Sequence, residues 1–290
     1  MNWLKRLFGY GYDEDAHLKP AAHGFALCIG LNSVNPQFYE GWSGELSGCE
    51  NDANALAHWL ETKNFSSVEK LLTKQATRDQ VMLKLKLLAE LAIPGDLVVV
   101  TNSSHGGQIP DFDSTEADGM DETICMYDGQ LIDDELELCW SRFRRGVRIV
   151  FVSDSCHSGT VMRAAFSDYE RMLTTTPHSK AMPGPIISAI VNAQHETLLG
   201  RKALAARQHS EIVASVLALG ACQDSQVAMD GPINGAFTGA LLSTLRRFPT
   251  NSYGRVIAEC RRALPPSQTP SYTYAGPRST AFESSTVFSF

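Results

Sequence analysis

Short apolar runs that alternate with helical periods constrain this chain more than any other feature. FALCIGLN (25–32), VEKLLT (68–73), DLVVVTNSSHG (96–106), VRIVFVSDSCHSG (147–159) and VASVLALGAC (213–222) read as strands. Between and after them, 49–64, 132–143, 238–248 and 253–264 carry apolar residues at helical spacing, as does a helix opened at Thr77 with Gln80 three residues on. A further helix is predicted around Ile187–Leu199. Buried strands joined by helices of this length imply parallel βαβ units. The expected fold class is therefore α/β: a mostly parallel central sheet with helices on both faces.

Composition removes several function classes. No run of 18 apolar residues is present, so no membrane-spanning helix is expected. The net charge of −7 argues against a nucleic-acid partner held by a broad basic face. Seven cysteines without a C-x-x-C pair fit neither a zinc site nor a disulfide framework, and Cys28, Cys125, Cys139 and Cys222 sit in apolar surroundings as core residues would. Residues 1–20 contain Trp3, Leu4, Leu7 and Phe8 but no continuous apolar stretch of signal-peptide length. They read as an uncleaved amphipathic tail, with a cytoplasmic location expected.

In an open parallel sheet, ligands gather beyond the carboxyl ends of the strands. Two predicted strands end in reactive residues: one runs into Ser103-Ser104-His105-Gly106, the other into Asp154-Ser155-Cys156-His157-Ser158-Gly159. If these strands are neighbours, His105 and Cys156 rise side by side, as a cysteine–histidine hydrolase requires. Either residue alone reads as ordinary packing; the matched pair at two strand ends is what points to chemistry. Gly106 lets backbone approach a substrate carbonyl, and its N–H with that of Cys156 would form an oxyanion hole. Side chains two apart on a strand share a face, so Ser103 and Asp154 are expected on the same side as His105 and Cys156.

The motifs S-x-H-G and D-x-C-H-S-G, with the histidine about fifty residues upstream of the cysteine, resemble the caspase clan, and specifically the metacaspases and their bacterial (orthocaspase-type) homologues. The similarity covers roughly 23–160 and resumes over 213–276, at ALGACQDSQVA, GAFTGALLSTL and SQTPSYTYAG. It implies a single peptidase domain over 21–290, with a large-subunit-like part (21–160), a linker or insert (161–212) and a small-subunit-like part (213–290). It also implies a cysteine endopeptidase with a His105–Cys156 dyad and protein substrates. The animal-caspase signature Q-A-C-x-G is absent, and Gly48-Cys49-Glu50-Asn51-Asp52 matches a metacaspase motif. The implied specificity pocket is Cys49, Asp52, Ser103 and Asp154, with Asp224 as a further contributor. Such a pocket favours Arg or Lys over Asp before the scissile bond, since two carboxylates attract a cation and repel a third carboxylate. Taken alone, Asp52 reads as a first-turn acid favoured by the helix dipole.

Residues 111–137 hold eleven acids and no Lys or Arg. The plain reading is a solvated loop and helix start. The resemblance offers a second: Asp121, Asp133 and Asp134 match three positions of a calcium site, with calcium as an activator rather than a cofactor of the chemistry. The fourth position is Arg163, a cation where an oxygen ligand is needed, which argues against that site. The resemblance to stand-alone bacterial caspase homologues then implies a nucleotide-like small molecule or a protein as activator, and regulated cell death or anti-phage defence as the setting. The resemblance also implies self-cleavage within the 161–212 linker, for which Arg171, Lys180, Arg201, Lys202 and Arg207 are candidate positions, with Lys180, among chain breakers, the most extendable into a protease. The alternative is a catalytically silent caspase-fold signalling or ligand-binding module; its mark would be a damaged dyad, and His105, Gly106, Cys156 and Gly159 are all intact.

Overall fold

The computed structural model describes residues 21–112, 119–156, 179–223 and 226–290. Six strands form the central sheet: β1 (Gly24–Gly30), β2 (Ser67–Leu72), β3 (Leu97–Ser103), β7 (Arg148–Asp154), β8 (Ser215–Gly220) and β9 (Ser271–Ala275), in the order β2-β1-β3-β7-β8-β9. The first five are parallel; β9 closes the edge antiparallel to β8. The expected fold class is present.

Alternation along the strands separates two cores. Ala26 and Cys28 of β1, Val99 of β3, Val150 and Val152 of β7, and Leu217 and Leu219 of β8 face α1 (Cys49–Glu61), α5 (Ala236–Arg247) and α6 (Tyr253–Ala263). Phe25, Leu27, Val98, Val100 and Ile149, one residue out of phase, face α2 (Arg78–Leu91) and α3 (Asp133–Ser141). Strands buried on both faces need near-continuous apolar sequence, which is why these runs were legible as strands. Thr77 caps α2, its hydroxyl accepting the Gln80 N–H.

Two features depart from the sequence reading. The acidic stretch is not only loop and helix start: it contains β5 (Met120–Met126) and β6 (Gly129–Ile132), which pair with β4 (Gly106–Pro110) in a second, antiparallel sheet. The helix expected around 187–199 is also longer, running from Gly184 to Gln208 as α4. It packs on that small sheet through Ile190 and Leu198. A short α7 (Thr280–Ser284) ends the fold. No helix among the described residues is long and apolar enough to cross a membrane.

Candidate active site

The order β2-β1-β3-β7 reverses direction between β1 and β3, and the carboxyl ends of strands at such a switch point are where an α/β sheet gathers its ligands. β3 and β7 are adjacent, and Ser103 is the register partner of Asp154. His105 and Cys156 each follow two residues later, so the sheet delivers them to one rim. Directly after His105 the backbone crosses Cys156 so closely that a Cβ on Gly106 would collide with the Cys156 carbonyl oxygen. Only glycine fits there.

His105 is buried, with its ring 4.7 Å from that of Trp42. Its Nε2 lies 3.1 Å from the Gly44 carbonyl oxygen. A carbonyl only accepts, so Nε2 carries the hydrogen and Nδ1 keeps its lone pair; Nδ1 is buried without a hydrogen-bond partner. Burial lowers the imidazole pKa to about 4. The Cys156 thiol accepts the Ala228 N–H at 2.9 Å and donates to the Ala228 carbonyl at 3.3 Å. Burial, reinforced by Cys222 nearby, pushes that thiol well above its ordinary value. Both groups are therefore uncharged at neutral pH.

The expected pocket residues do converge. Asp52, in the first turn of α1, accepts the Ser103 hydroxyl at 2.7 Å, the Asn234 amide at 2.9 Å and the Gly235 N–H at 3.0 Å. Asp154 accepts the Thr238 N–H at 2.9 Å and its hydroxyl at 2.7 Å. Cys49 is fully buried at the start of α1, and burial raises its thiol to about 12, so it contributes a neutral wall. Asp230 holds the α1 entry through the N–H groups of Ser47 and Gly48.

Into this pocket the chain inserts its own cation. The Lys180 Nζ lies 3.0 Å from Asp154 Oδ1, 2.9 Å from the Ser103 hydroxyl and 3.4 Å from Asp52 Oδ2, with no solvent exposure. Burial alone would lower the lysine pKa; the Asp154 and Asp52 carboxylates outweigh it and hold the ammonium charged. Asp52, pressed by burial and by Asp154, is raised to about 6. The backbone is held as firmly as the side chain. The Lys180 carbonyl accepts the Gly106 N–H at 2.9 Å, the Lys180 N–H reaches the Ala228 carbonyl at 3.0 Å, and the Met182 N–H reaches the Gly106 carbonyl at 2.7 Å. Ser179 makes an antiparallel bridge with Met229. The expectation that Lys180 extends outward into a protease is thus corrected: its ammonium is drawn inward by two carboxylates. Arg201 and Lys202 are likewise unavailable as exposed cleavage positions, being committed to Glu135 and to Asp121 respectively. Asp224, Arg163, Arg171 and the tail 1–20 lie outside the described residues.

Sequence reasoning missed the far wall of the pocket. A Cβ on Gly235 would strike both the Lys180 Nζ and the Asp154 carboxylate, so this glycine makes room for the ammonium. Its only signal in the sequence is the GAFTG run opening α5, which carries weight through the family resemblance alone. Trp42 and Gly44, which orient His105, gave no signal.

A caspase-domain family model matches residues 23–282. The chain belongs to that family. Among curated proteins, this caspase-domain chain is 30% identical to metacaspase-1 of Cryptococcus neoformans and 29% identical to metacaspase-1A of Aspergillus clavatus. Both alignments cover 82% of this chain but 59% and 62% of the relatives, so it spans about three fifths of their length. A Geobacter sulfurreducens protein of known crystal structure shares 37% identity at a TM-score of 0.81, covering 92% of this chain and 98% of that one. Caspase-1 of Spodoptera frugiperda shares the fold at 12% identity and a TM-score of 0.52, over 88% of this chain and 86% of that one. Membership supports cysteine-peptidase chemistry at the level of the family.

Proposed function

We propose that this chain is a latent cysteine endopeptidase that cleaves proteins after Arg or Lys, with Cys156 as nucleophile and His105 as its base. The observation that carries the reading is the pose of Lys180: its ammonium sits between Asp52 and Asp154 while its carbonyl accepts the Gly106 N–H. That is the pose a basic residue before a scissile bond would take, and the bond so presented is Lys180–Ala181.

In the reaction, the Cys156 thiol leaves Ala228 and passes its proton to Nδ1 of His105, the nitrogen left unprotonated by the Nε2 contact with Gly44. The thiolate adds to the carbonyl carbon, and the Gly106 and Cys156 N–H groups hold the oxyanion. The imidazolium then protonates the leaving amine; water hydrolyses the thioester and restores the thiol. The segment around Lys180 must be cut or withdrawn before another protein can enter. A small-molecule or protein activator would do this, as suits a cytoplasmic effector of cell death or anti-phage defence that is kept silent until signalled.

The test is a panel of fluorogenic peptides ending in Arg, Lys or Asp, assayed with the wild type, Lys180→Ala and Cys156→Ala. Turnover of the Arg and Lys peptides is expected, faster in Lys180→Ala and absent in Cys156→Ala. Turnover of the Asp peptides alone would overturn the reading.

A further inference from the structure

Lys202, on α4, is a second buried lysine, and its side chain ends in the acidic cluster. On the buried face of α4, Leu198, Lys202 and Ala205 follow one another at i, i+4 and i+7. The lysine therefore occupies a position where the helical period calls for an apolar side chain. Its Nζ lies 2.6 Å from each carboxylate oxygen of Asp121, 3.1 Å from Asp111 and 3.3 Å from Asp134, with 2% of its side chain exposed.

Asp121, Asp133 and Asp134 can bring one oxygen apiece within 4.8 Å of one another, the trio that resemblance to metacaspases offers for calcium. Calcium needs 6–8 oxygens at 2.3–2.6 Å. Here the ammonium already stands at comparable distances from Asp121, and Asp133 is turned to the backbone, accepting the N–H groups of Glu122 and Asp134. The residues present do not fit calcium while Lys202 is in place.

We propose that Lys202 is the resident cation of this cluster: its ammonium does the neutralising work of a divalent ion, and the fold is closed without calcium. A tethered cation cannot diffuse away, so α4 stays fixed on the small sheet whatever the calcium concentration. The adjacent Arg201, paired with Glu135 and the Gln130 carbonyl, reinforces the attachment. This inference does not depend on the peptidase reading.

The experiment uses the full chain carrying Cys156→Ala, so that proteolysis does not intrude, with thermal melting and calorimetric titration of calcium. With Lys202 intact, millimolar calcium is expected to leave the melting temperature unchanged and to give no binding heat. Adding Lys202→Met should lower the melting temperature in chelator, and calcium should restore it; Asp121→Asn placed on top should abolish the restoration. If Lys202→Met does not fold in chelator, recovery of folded protein from calcium-containing buffer is the expected result. Saturable calcium binding with Lys202 intact that is lost on Asp121→Asn would overturn the proposal. So would a Lys202→Met protein that is indifferent to calcium, or one that fails to fold with and without it.

Discussion

At the residue scale, the active-site groups are held in their uncharged forms by burial, and this gives a pH dependence with a definite sign. His105 has a folded pKa of about 4 against 6.5 for a free imidazole. The unfolded chain therefore binds the extra proton first, and the stability contributed by the neutral ring is complete above pH 6.5 and lost as pH falls toward 4. The difference in urea midpoint between pH 7 and pH 5 is expected to be smaller in His105→Gln than in the wild type; an unchanged difference would contradict the buried, neutral ring. Ser103 and Asp154 were legible in the sequence because strand alternation dictates where such side chains point; Asp52 was legible only through the resemblance of Gly48-Cys49-Glu50-Asn51-Asp52 to a metacaspase motif, since alone it reads as a first-turn acid. Lys180 was not, because what holds it is not local: Asp52 lies 128 positions away, and the surrounding TTTPHSKAMPGP has no period to read.

At the scale of elements, the pocket is made by the start of α1 and the start of α5 above β3 and β7, with Gly235, just before α5, donating its N–H to Asp52 of α1. Gly235→Ala places a methyl group on the Lys180 Nζ and the Asp154 carboxylate. Overpacking of this kind costs about 1–3 kcal/mol, to be measured by urea denaturation, and KM for Arg and Lys peptides should rise by an order of magnitude or more. A variant with wild-type KM would place the substrate cation elsewhere. The inner strands β1, β3, β7 and β8 were readable because burial on both faces makes their runs mostly apolar. The small sheet was hidden because β5, MDETICM, buries Asp121 and half-buries Glu122, which charge counting assigns to solvent. The length of α4 was hidden by Arg201 and Lys202 breaking its apolar stripe.

For the whole molecule, the consequence is that cutting the chain need not divide it. Lys180–Ala181 lies between β7 and β8, which run side by side in the central sheet with pairing from Arg148–Ser215 to Ser153–Gly220. After cleavage, both fragments should co-elute on gel filtration at the position of the intact chain and separate only in denaturant, the new amino terminus being Ala181. Fragments that drift apart without denaturant would contradict the shared sheet as the source of cohesion. The central claim, a cysteine nucleophile beside a pocket for a basic residue, is met most directly by covalent labelling. Lys180→Ala is treated with peptide chloromethyl ketones ending in Arg or Asp, and the adduct is located by mass spectrometry. The Arg reagent is predicted to alkylate Cys156 at least tenfold faster than the Asp reagent, and preference for the Asp reagent, or an adduct on any other cysteine, would contradict the account.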